Sequence, residues 1–252
     1  MRKPIKIFIS HSSQDLLFVQ PFVELLAHIG LNEKTMFCSS ASGYNVPLDN
    51  NIYDYLKEQF DNYDLRVIFI LSGNYYNSVA CLNEMGAAWV LRYRYTSVLL
   101  PGFNFSSIKG VIDQMRISIK LDAGKAELKA RLNELRDTLI NEIGLQTTSH
   151  NVWEHYRDKF IDQVNSTEIY WQDIRKLQEL KRPSKEWVSP LEKLIAANPS
   201  SYDAIYMLGT IYAELKDIDN AIKYLKMAAN QSKDNEICEK ARKQLSGIEY
   251  KM

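Results

Sequence analysis

The clearest indication of the fold comes from the segment Ser72-Gly-Asn-Tyr-Tyr-Asn-Ser-Val-Ala-Cys-Leu-Asn-Glu-Met-Gly-Ala-Ala-Trp89. It directly follows Arg66-Val-Ile-Phe-Ile-Leu71, a short run of β-branched and aromatic residues that predicts a buried strand. Gly73 and Asn74 end this strand, and the apolar spacing beyond them predicts a helix. We expect one face of that helix to pack on the sheet, and its members are Leu82, Met85, Gly86, Trp89 and Val90.

Glu84 is the polar residue of interest on this helix. It stands two residues after Leu82 and therefore about 200° around the helix from it. Its neighbours in the adjacent stripe are small: Ala80, Cys81, Ala87 and Ala88. A helical glutamate is usually a solvated surface residue, but small neighbours around this carboxylate leave room for a ligand.

Outward from this unit, strands and helices alternate along the first part of the chain. Strands are predicted at 5–10, 36–38, 66–71, 96–100 and 116–121. Helices are predicted at 16–29, 52–60, around Glu84, at 108–115 and at 126–143. Strict alternation predicts an α/β domain in which helices cover both faces of a parallel sheet.

Two segments of the chain resemble Toll/interleukin-receptor (TIR) domains, especially prokaryotic ones. Ser72, Tyr75, Ser78, Cys81 and Glu84 recur at every third position. This spacing is similar to the Ser-x-x-Tyr-x-x-Ser-x-x-Cys-x-x-Glu signature of that family. The segment Lys6-Ile-Phe-Ile-Ser-His-Ser-Ser-Gln-Asp15 is similar to the first TIR box. The resemblance covers roughly residues 1–145.

The resemblance implies a flavodoxin-like sheet of five parallel strands in the order 2-1-3-4-5, and cleavage of NAD+ with Glu84 as the catalytic residue. In such a sheet a ligand binds beyond the carboxyl ends of strands 1 and 3, where residues 10–14 and Glu84 converge. NAD+ is then a substrate, and no cofactor or metal is expected. The implied substrate-binding residues are Ser10, His11, Ser12, Phe37, Gly43, Tyr44, Ser72, Tyr75 and Cys81.

Several of these residues have a plain structural alternative. His11 fits an ordinary turn, Phe37 a core position, and Cys81 a packed small hydrophobe rather than a nucleophile. The segment Gly43-Tyr-Asn-Val-Pro47 is close to the mobile BB loop of TIR domains but not identical to it. Ala80 stands where several prokaryotic TIR domains carry Trp, so the resemblance does not extend to the nicotinamide contact that this ring would make.

One carboxylate is sufficient for this chemistry. Hydrolysis of an ordinary O-glycoside also requires an acid, because the leaving group must be protonated. Nicotinamide leaves NAD+ as a neutral base, so a single anion beside the developing ribosyl cation can stabilise it. Water as the nucleophile gives ADP-ribose, and an atom of the same ADP-ribose gives a cyclic isomer.

Composition limits the partners and the compartment. The chain has 252 residues, 46% hydrophobic and 25% charged, with a formal net charge of zero. A nonspecific nucleic-acid-binding protein normally has an excess of basic residues, and this chain has none. The three cysteines share no metal-ligand spacing, and free thiols fit a reducing compartment. With no secretory leader and no apolar run of about 18 residues, we expect a cytoplasmic protein without a membrane partner.

From residue 149 the pattern becomes purely helical. The segment 204–229 resembles a tetratricopeptide repeat, and its signature positions are Leu208, Gly209, Tyr212, Ala221 and Ala228. One repeat length upstream of Leu225 and Ala228 stand Leu191 and Leu194, with Pro199 after them. We therefore predict a TIR domain at 1–148 and a helical domain at 149–252, with its best repeat at 202–235. Trp153, Trp171 and Trp187 indicate additional helices in the second domain.

An array of fewer than about three repeats leaves an apolar edge uncovered. We expect this edge to mediate homo-oligomerisation together with the TIR domain, or to bind a protein partner; a folding cap for the chain's own use is the alternative.

Three functions stay open at this stage. The first is an NAD+ glycohydrolase or cyclase in bacterial antiviral defence or cell-death signalling. The second is a non-catalytic TIR adaptor that acts through homotypic protein contacts. The third is an N-glycosidase on another nucleoside or nucleotide, which would use the same Glu84.

Overall fold

The structure, a computed structural model, describes residues 3–39, 41, 43–44, 51–146, 149–179, 185–197, 201–231 and 235–249. By their contacts these residues divide into one unit at 1–167 and another at 168–252. Among the described helices, none combines the length and the apolar character that crossing a membrane requires.

A five-stranded parallel sheet forms the centre of the first unit. Its strands are β1 (Ile5–Ser10), β2 (Met36–Cys38), β3 (Asp64–Leu71), β4 (Arg94–Leu99) and β5 (Ile119–Lys120). They pair in the order β2-β1-β3-β4-β5, which confirms the predicted fold class and strand order. Leu65 to Leu71 of β3 are all buried, as expected of a central strand covered on both faces.

Between residues 3 and 146, the described part of the chain adds helices α1 to α5 to this sheet. They are α1 (Leu16–Ala27), α2 (Ile52–Asn62), the single turn α3 (Gly73–Tyr76), α4 (Val79–Val90) and α5 (Lys125–Ile143). Phe8 of β1 shares one core cluster with Tyr75 of α3 and with Cys81 and Met85 of α4. The strand that ends at Ser10 is therefore packed directly against the helix that carries Glu84.

The orientation of α4 differs from the predicted one. Cys81, Met85 and Ala88 are each only 3% exposed, whereas Leu82, Trp89 and Val90 are 40%, 61% and 68% exposed. Of the predicted sheet-facing set, only Met85 is fully buried. Because positions 81, 84, 85 and 88 share one side of a helix, Glu84 lies beside the buried stripe rather than opposite to it.

The predicted helix at 108–115 is also wrong. A 3₁₀ turn at Phe105–Ser107 is followed by irregular turns, and β5 is only two residues long. Gly110 has a φ of +76°, and the Asp113 carboxylate accepts a hydrogen bond from the Met115 N–H at 2.9 Å. A left-handed residue and an aspartate turn both compete with helical hydrogen bonding, which explains why no helix forms.

Helix α6 (His150–Glu179) crosses the division between the units, which falls after Thr167 rather than after residue 148. Its first half belongs to the α/β unit. Trp153 is 1% exposed and donates from Nε1 to Asn133 Oδ1 at 2.7 Å, and the Phe160 ring lies 5.7 Å from that of Phe22. Trp153 therefore completes the first unit and not the helical one; the side chain of Trp171 lies outside the described residues.

The described elements of the second unit are all helices, as predicted. It contains α7 (Val188–Ala197), α8 (Tyr202–Glu214), α9 (Ile218–Gln231) and α10 (Asn235–Glu249). A Cβ on Gly209 would lie 2.8 Å from Leu225 Cγ, so the absence of a side chain permits the close approach of α8 and α9. Leu191, Leu194, Ala221 and Ala228 are all buried, while Pro199 lies outside the described residues.

Candidate active site

The carboxyl ends of β1 and β3 lead into the segments that carry the candidate residues. Strand β1 ends at Ser10, and β3 is followed at once by Ser72. The Ser72 hydroxyl accepts the Tyr75 N–H at 3.0 Å and caps α3, and the Ser78 hydroxyl accepts the Cys81 N–H at 3.4 Å and caps α4. Part of the three-residue spacing in this segment is therefore helix-capping geometry.

Ser10 connects this segment to the first strand. Its hydroxyl donates to Glu84 Oε2 at 2.6 Å and lies 2.9 Å from the hydroxyl oxygen of Tyr75. The Tyr75 hydroxyl is also 3.0 Å from the carbonyl oxygen of Cys81. Ser10 and Tyr75 are buried, whereas Glu84 is only partly buried. A continuous row of oxygen atoms thus runs from the core to one accessible carboxylate.

The electrostatic environment holds the pKa of Glu84 close to neutrality. Burial raises this pKa from 4.5 to about 7, and the hydrogen bond from Ser10 opposes the increase without cancelling it. The carboxyl group can therefore exchange a proton under physiological conditions, as groups at functional sites commonly do.

Asp15 carries a second carboxyl group at this edge of the sheet, and it is 5% exposed. Its Oδ2 accepts a hydrogen bond from the Ser72 hydroxyl at 2.5 Å, and its Oδ1 accepts one from Asn74 Nδ2 at 2.7 Å. Burial raises its pKa from 3.8 to about 6. Asp15 ties the turn after β1 to the segment after β3, and Ser72 therefore faces Asp15. The sequence offers one indication of this role, which is an acidic residue in the polar turn after β1.

His11 and Ser12 are both 5% exposed and lie beneath this edge. His11 Nδ1 lies 3.2 Å from the Ile9 carbonyl oxygen, and burial lowers the pKa of the imidazole to about 4. The ring is therefore neutral at physiological pH and supplies no positive charge for a phosphate. The Ser12 hydroxyl accepts the Gln14 N–H at 3.4 Å, so it acts as a cap.

Cys81 is a buried thiol rather than an activated nucleophile. It is 3% exposed, and its Sγ donates to the His11 carbonyl oxygen at 3.3 Å. Burial raises the pKa of the thiol to about 11, so it stays protonated at neutral pH.

Phe37 lies in the core, where it stacks on Phe8 with ring centroids 4.5 Å apart. Gly43, with a φ of +81°, and the half-buried Tyr44 form a turn that returns to β2, because the Cys38 N–H donates to the Tyr44 carbonyl oxygen at 2.9 Å. Residues 45–50, including Val46 and Pro47 of the predicted loop motif, lie outside the described residues.

The structure thus brings Ser10, Tyr75, Cys81 and Glu84 together and buries His11, Ser12 and Phe37. Within the described ranges, no group of three or more His, Cys, Asp or Glu side chains could hold a metal ion. A separate cavity of about 720 Å³ lies between α1 and α6, and Leu17, Asp158 and Lys159 are among its lining residues. None of the predicted site residues lines that cavity.

Comparison with known proteins finds a similar protein, but the name of that protein gives no activity. No family model matches the chain. The chain is 39% identical over 155 residues to the uncharacterized protein YddK of Bacillus subtilis strain 168. The match covers 62% of this chain and 55% of YddK, so the chain spans about half the length of the curated relative it matches.

Proposed function

We propose that this chain is a TIR-type NAD+ glycohydrolase with Glu84 as its catalytic residue. The observation that carries the proposal is a single partly buried carboxylate, oriented by Ser10 at the carboxyl edge of β1 and β3, with its pKa raised to about 7. Open parallel sheets commonly bind their ligands beyond the carboxyl ends of two neighbouring strands from which the chain winds in opposite directions, and β1 and β3 are such a pair.

The reaction breaks the bond between C1′ of the ribose and the nicotinamide nitrogen. The bonding electrons leave with nicotinamide, which departs as a neutral base, and the positive charge shifts to the ribosyl centre. The Glu84 carboxylate stabilises that charge as it develops. Water then attacks C1′, which gives ADP-ribose, nicotinamide and one proton.

A pKa near neutrality fits a second task for the same group. An ionised Glu84 can accept the proton that the attacking water or ribosyl hydroxyl loses, and efficiency is greatest when the base titrates near the working pH. If an atom of ADP-ribose attacks instead of water, the product is a cyclic isomer, and water is not consumed.

The cellular setting follows from the same resemblance. We propose a cytoplasmic enzyme of bacterial antiviral defence or cell-death signalling, assembled as a homo-oligomer. The tetratricopeptide-like helices α7 to α10 would contribute an assembly surface or bind a protein partner.

The test is incubation of the purified full chain with NAD+, with products identified by chromatography and mass spectrometry. Glu84→Gln keeps the shape of the side chain but removes the charge, and we expect nicotinamide release to fall at least about 100-fold. Glu127→Gln, an exposed position on α5, is the matched control and should retain full activity. An active Glu84→Gln variant would exclude this mechanism.

One observation favours the non-catalytic adaptor as the second candidate. Four apolar residues of α4 point to solvent: Val79 at 74%, Leu82 at 40%, Trp89 at 61% and Val90 at 68% exposure. Exposed apolar patches commonly mark protein contacts. An adaptor would show no NAD+ turnover in any assembled form, and its partner binding would survive Glu84→Gln but weaken in Trp89→Glu.

A further inference from the structure

Glu84, Ser10, Tyr75 and the Cys81 carbonyl form a row of oxygen atoms. When the Glu84 carboxyl group is ionised, this row has fewer hydroxyl hydrogens than oxygen–oxygen contacts. Three short contacts link Glu84 to Ser10, Ser10 to Tyr75, and Tyr75 to the Cys81 carbonyl, at 2.6, 2.9 and 3.0 Å. Ser10 and Tyr75 carry one hydroxyl hydrogen each, and the carbonyl carries none. The number of hydrogen bonds in the row therefore depends on whether Glu84 is protonated.

In the ionised form only two hydrogen bonds can exist. The Ser10 hydroxyl donates to the Glu84 carboxylate, which cannot donate in return. The Tyr75 hydroxyl must then choose between Ser10 Oγ and the Cys81 carbonyl oxygen. One of the three contacts is left without a hydrogen.

In the protonated form all three hydrogen bonds exist in one direction. Glu84 donates to Ser10, Ser10 donates to Tyr75, and Tyr75 donates to the Cys81 carbonyl oxygen. Each hydroxyl both donates and accepts, an arrangement in which the bonds strengthen one another. Because Ser10 and Tyr75 are 1% and 0% exposed, bulk water does not replace a missing partner readily.

We propose that Tyr75 is a positioning residue that keeps the proton on Glu84 by completing this row through Ser10. Tyr75 does not touch the substrate; it acts on the reactive carboxyl group through the serine hydroxyl. Its importance for turnover rests on the proposed function, whereas its effect on the Glu84 proton does not.

The other titratable groups around the row do not provide the same control. Burial keeps the Tyr75 phenol and the Cys81 thiol protonated and the His11 imidazole neutral at pH 7. Asp15, with a pKa raised to about 6, titrates in the same range as Glu84, but its hydrogen bonds go to Ser72 and Asn74.

The experiment is a direct titration of Glu84 by nuclear magnetic resonance in the full chain without NAD+. Glutamate side-chain carboxyl groups are labelled with ¹³C, and the Glu84 resonance is assigned by its loss in Glu84→Gln. Tyr75→Phe removes two of the three bonds of the protonated form but only one of the two bonds of the ionised form. We therefore expect the Glu84 midpoint to fall by about half to one pH unit in Tyr75→Phe.

Tyr76→Phe is the matched control. Tyr76 lies next to Tyr75 in α3, but its hydroxyl bonds with the backbone of Lys109 at 3.1 Å. This variant should leave the Glu84 midpoint unchanged, as should Asp15→Asn to within a few tenths of a unit. An unchanged or higher midpoint in Tyr75→Phe, or an equal decrease in Tyr76→Phe, overturns the proposal.

A second measurement needs no variant and so does not depend on the folding of Tyr75→Phe. Protonation of Glu84 directs the Tyr75 hydroxyl to the Cys81 carbonyl, so the Cys81 carbonyl ¹³C resonance of the unaltered chain should move with the Glu84 midpoint. A Cys81 resonance that ignores this titration contradicts the proposal. If the chain does not cleave NAD+, both titrations still decide the role of Tyr75; if it does, the acid limb of the rate profile moves to lower pH in Tyr75→Phe.

Discussion

Glu84 combines a requirement of the proposed chemistry with a cost to the fold. The proposed reaction would need the ionised carboxylate, but burial favours the protonated acid and raises the pKa to about 7. Only the Ser10 hydroxyl is seen to favour the ionised form among the described contacts of this side chain. The pKa of the Glu84 carboxyl group therefore lies close to physiological pH, where the group changes between its protonated and ionised forms.

The activity proposed for Glu84 should depend on pH. Since the proposed mechanism uses the carboxylate, nicotinamide release should increase as the pH rises through about 7 and reach a plateau above it. Below the midpoint the rate should fall about tenfold per pH unit. Steady-state rates at saturating NAD+ measure this, and a profile that stays flat well into the acidic range would contradict the assignment.

The stability of the folded chain should also depend on the protonation of Glu84. Between pH 4.5 and about 7 the folded chain binds a proton at Glu84 that the unfolded chain has released, so this group's contribution to stability declines as the pH rises through that interval. Glu84→Gln removes the charge and should be about 1–3 kcal/mol more stable than the unaltered chain above the interval, and nearly equal below it.

Urea unfolding at both ends of the pH range measures this difference. The exposed Glu127→Gln substitution should change stability little at either pH. A Glu84→Gln variant that is less stable than the unaltered chain at alkaline pH would show that the carboxylate is stabilised, not penalised, by its surroundings.

The sequence predicted the meeting of Ser10 and Glu84 through strand order, although the two residues are far apart in the chain. It did not predict that Asp15 would be buried against Ser72, because an acidic residue in a polar turn is normally solvated. Nor could it predict the neutral state of His11, since the pKa of the imidazole depends on burial beneath neighbouring elements.

At the scale of elements, α4 shows why an apolar pattern alone can choose the wrong face. The helix has two apolar stripes, and the larger side chains, Leu82 and Trp89, lie on the exposed one. The Ser78 cap and the contact of Cys81 Sγ with the His11 carbonyl oxygen hold the smaller stripe against β1. One contact is a helix cap and the other joins α4 to the segment after β1, so the periodicity of apolar residues within the helix predicts neither of them.

Gly209 in α8 lies directly against Leu225 of α9. A methyl group there would lie 2.8 Å from Leu225 Cγ and 3.0 Å from the Leu225 backbone nitrogen, so the helices would have to separate. We expect Gly209→Ala to destabilise the helical unit by about 1–3 kcal/mol despite the better helix propensity of alanine. Thermal unfolding followed by circular dichroism measures the change.

Gly247 in α10 supplies the matched control, because a Cβ at this position meets no atom within 4 Å. Gly247→Ala should therefore stabilise the same unit by up to about 1 kcal/mol. Similar effects of the two substitutions would mean that α8 and α9 are not held at the observed distance.

For the whole molecule, alternation of strands and helices predicted the α/β unit, and the purely helical pattern from residue 149 predicted the helical unit after it. The division between them was harder to locate, because α6 is continuous through it and has no Gly or Pro at residues 150 to 168. The change from alternating to purely helical sequence occurs near residue 149, but the helix that begins there packs first against α1 and α5.

The last prediction follows from that packing and concerns two shortened chains. A fragment of residues 1–167 retains Trp153 and Phe160, which are each 1% exposed, together with Arg157, which donates to Asn133 Oδ1 at 2.9 Å. We expect this fragment to unfold cooperatively.

A fragment of residues 1–148 leaves the faces of α1 and α5 that contact these side chains open to water. Because removal of one large buried aromatic costs about 3–5 kcal/mol, loss of both should unfold or aggregate the shorter fragment. Urea titration of the two fragments by tryptophan fluorescence and circular dichroism measures the difference, and equal stability would place the structural boundary at residue 148 after all.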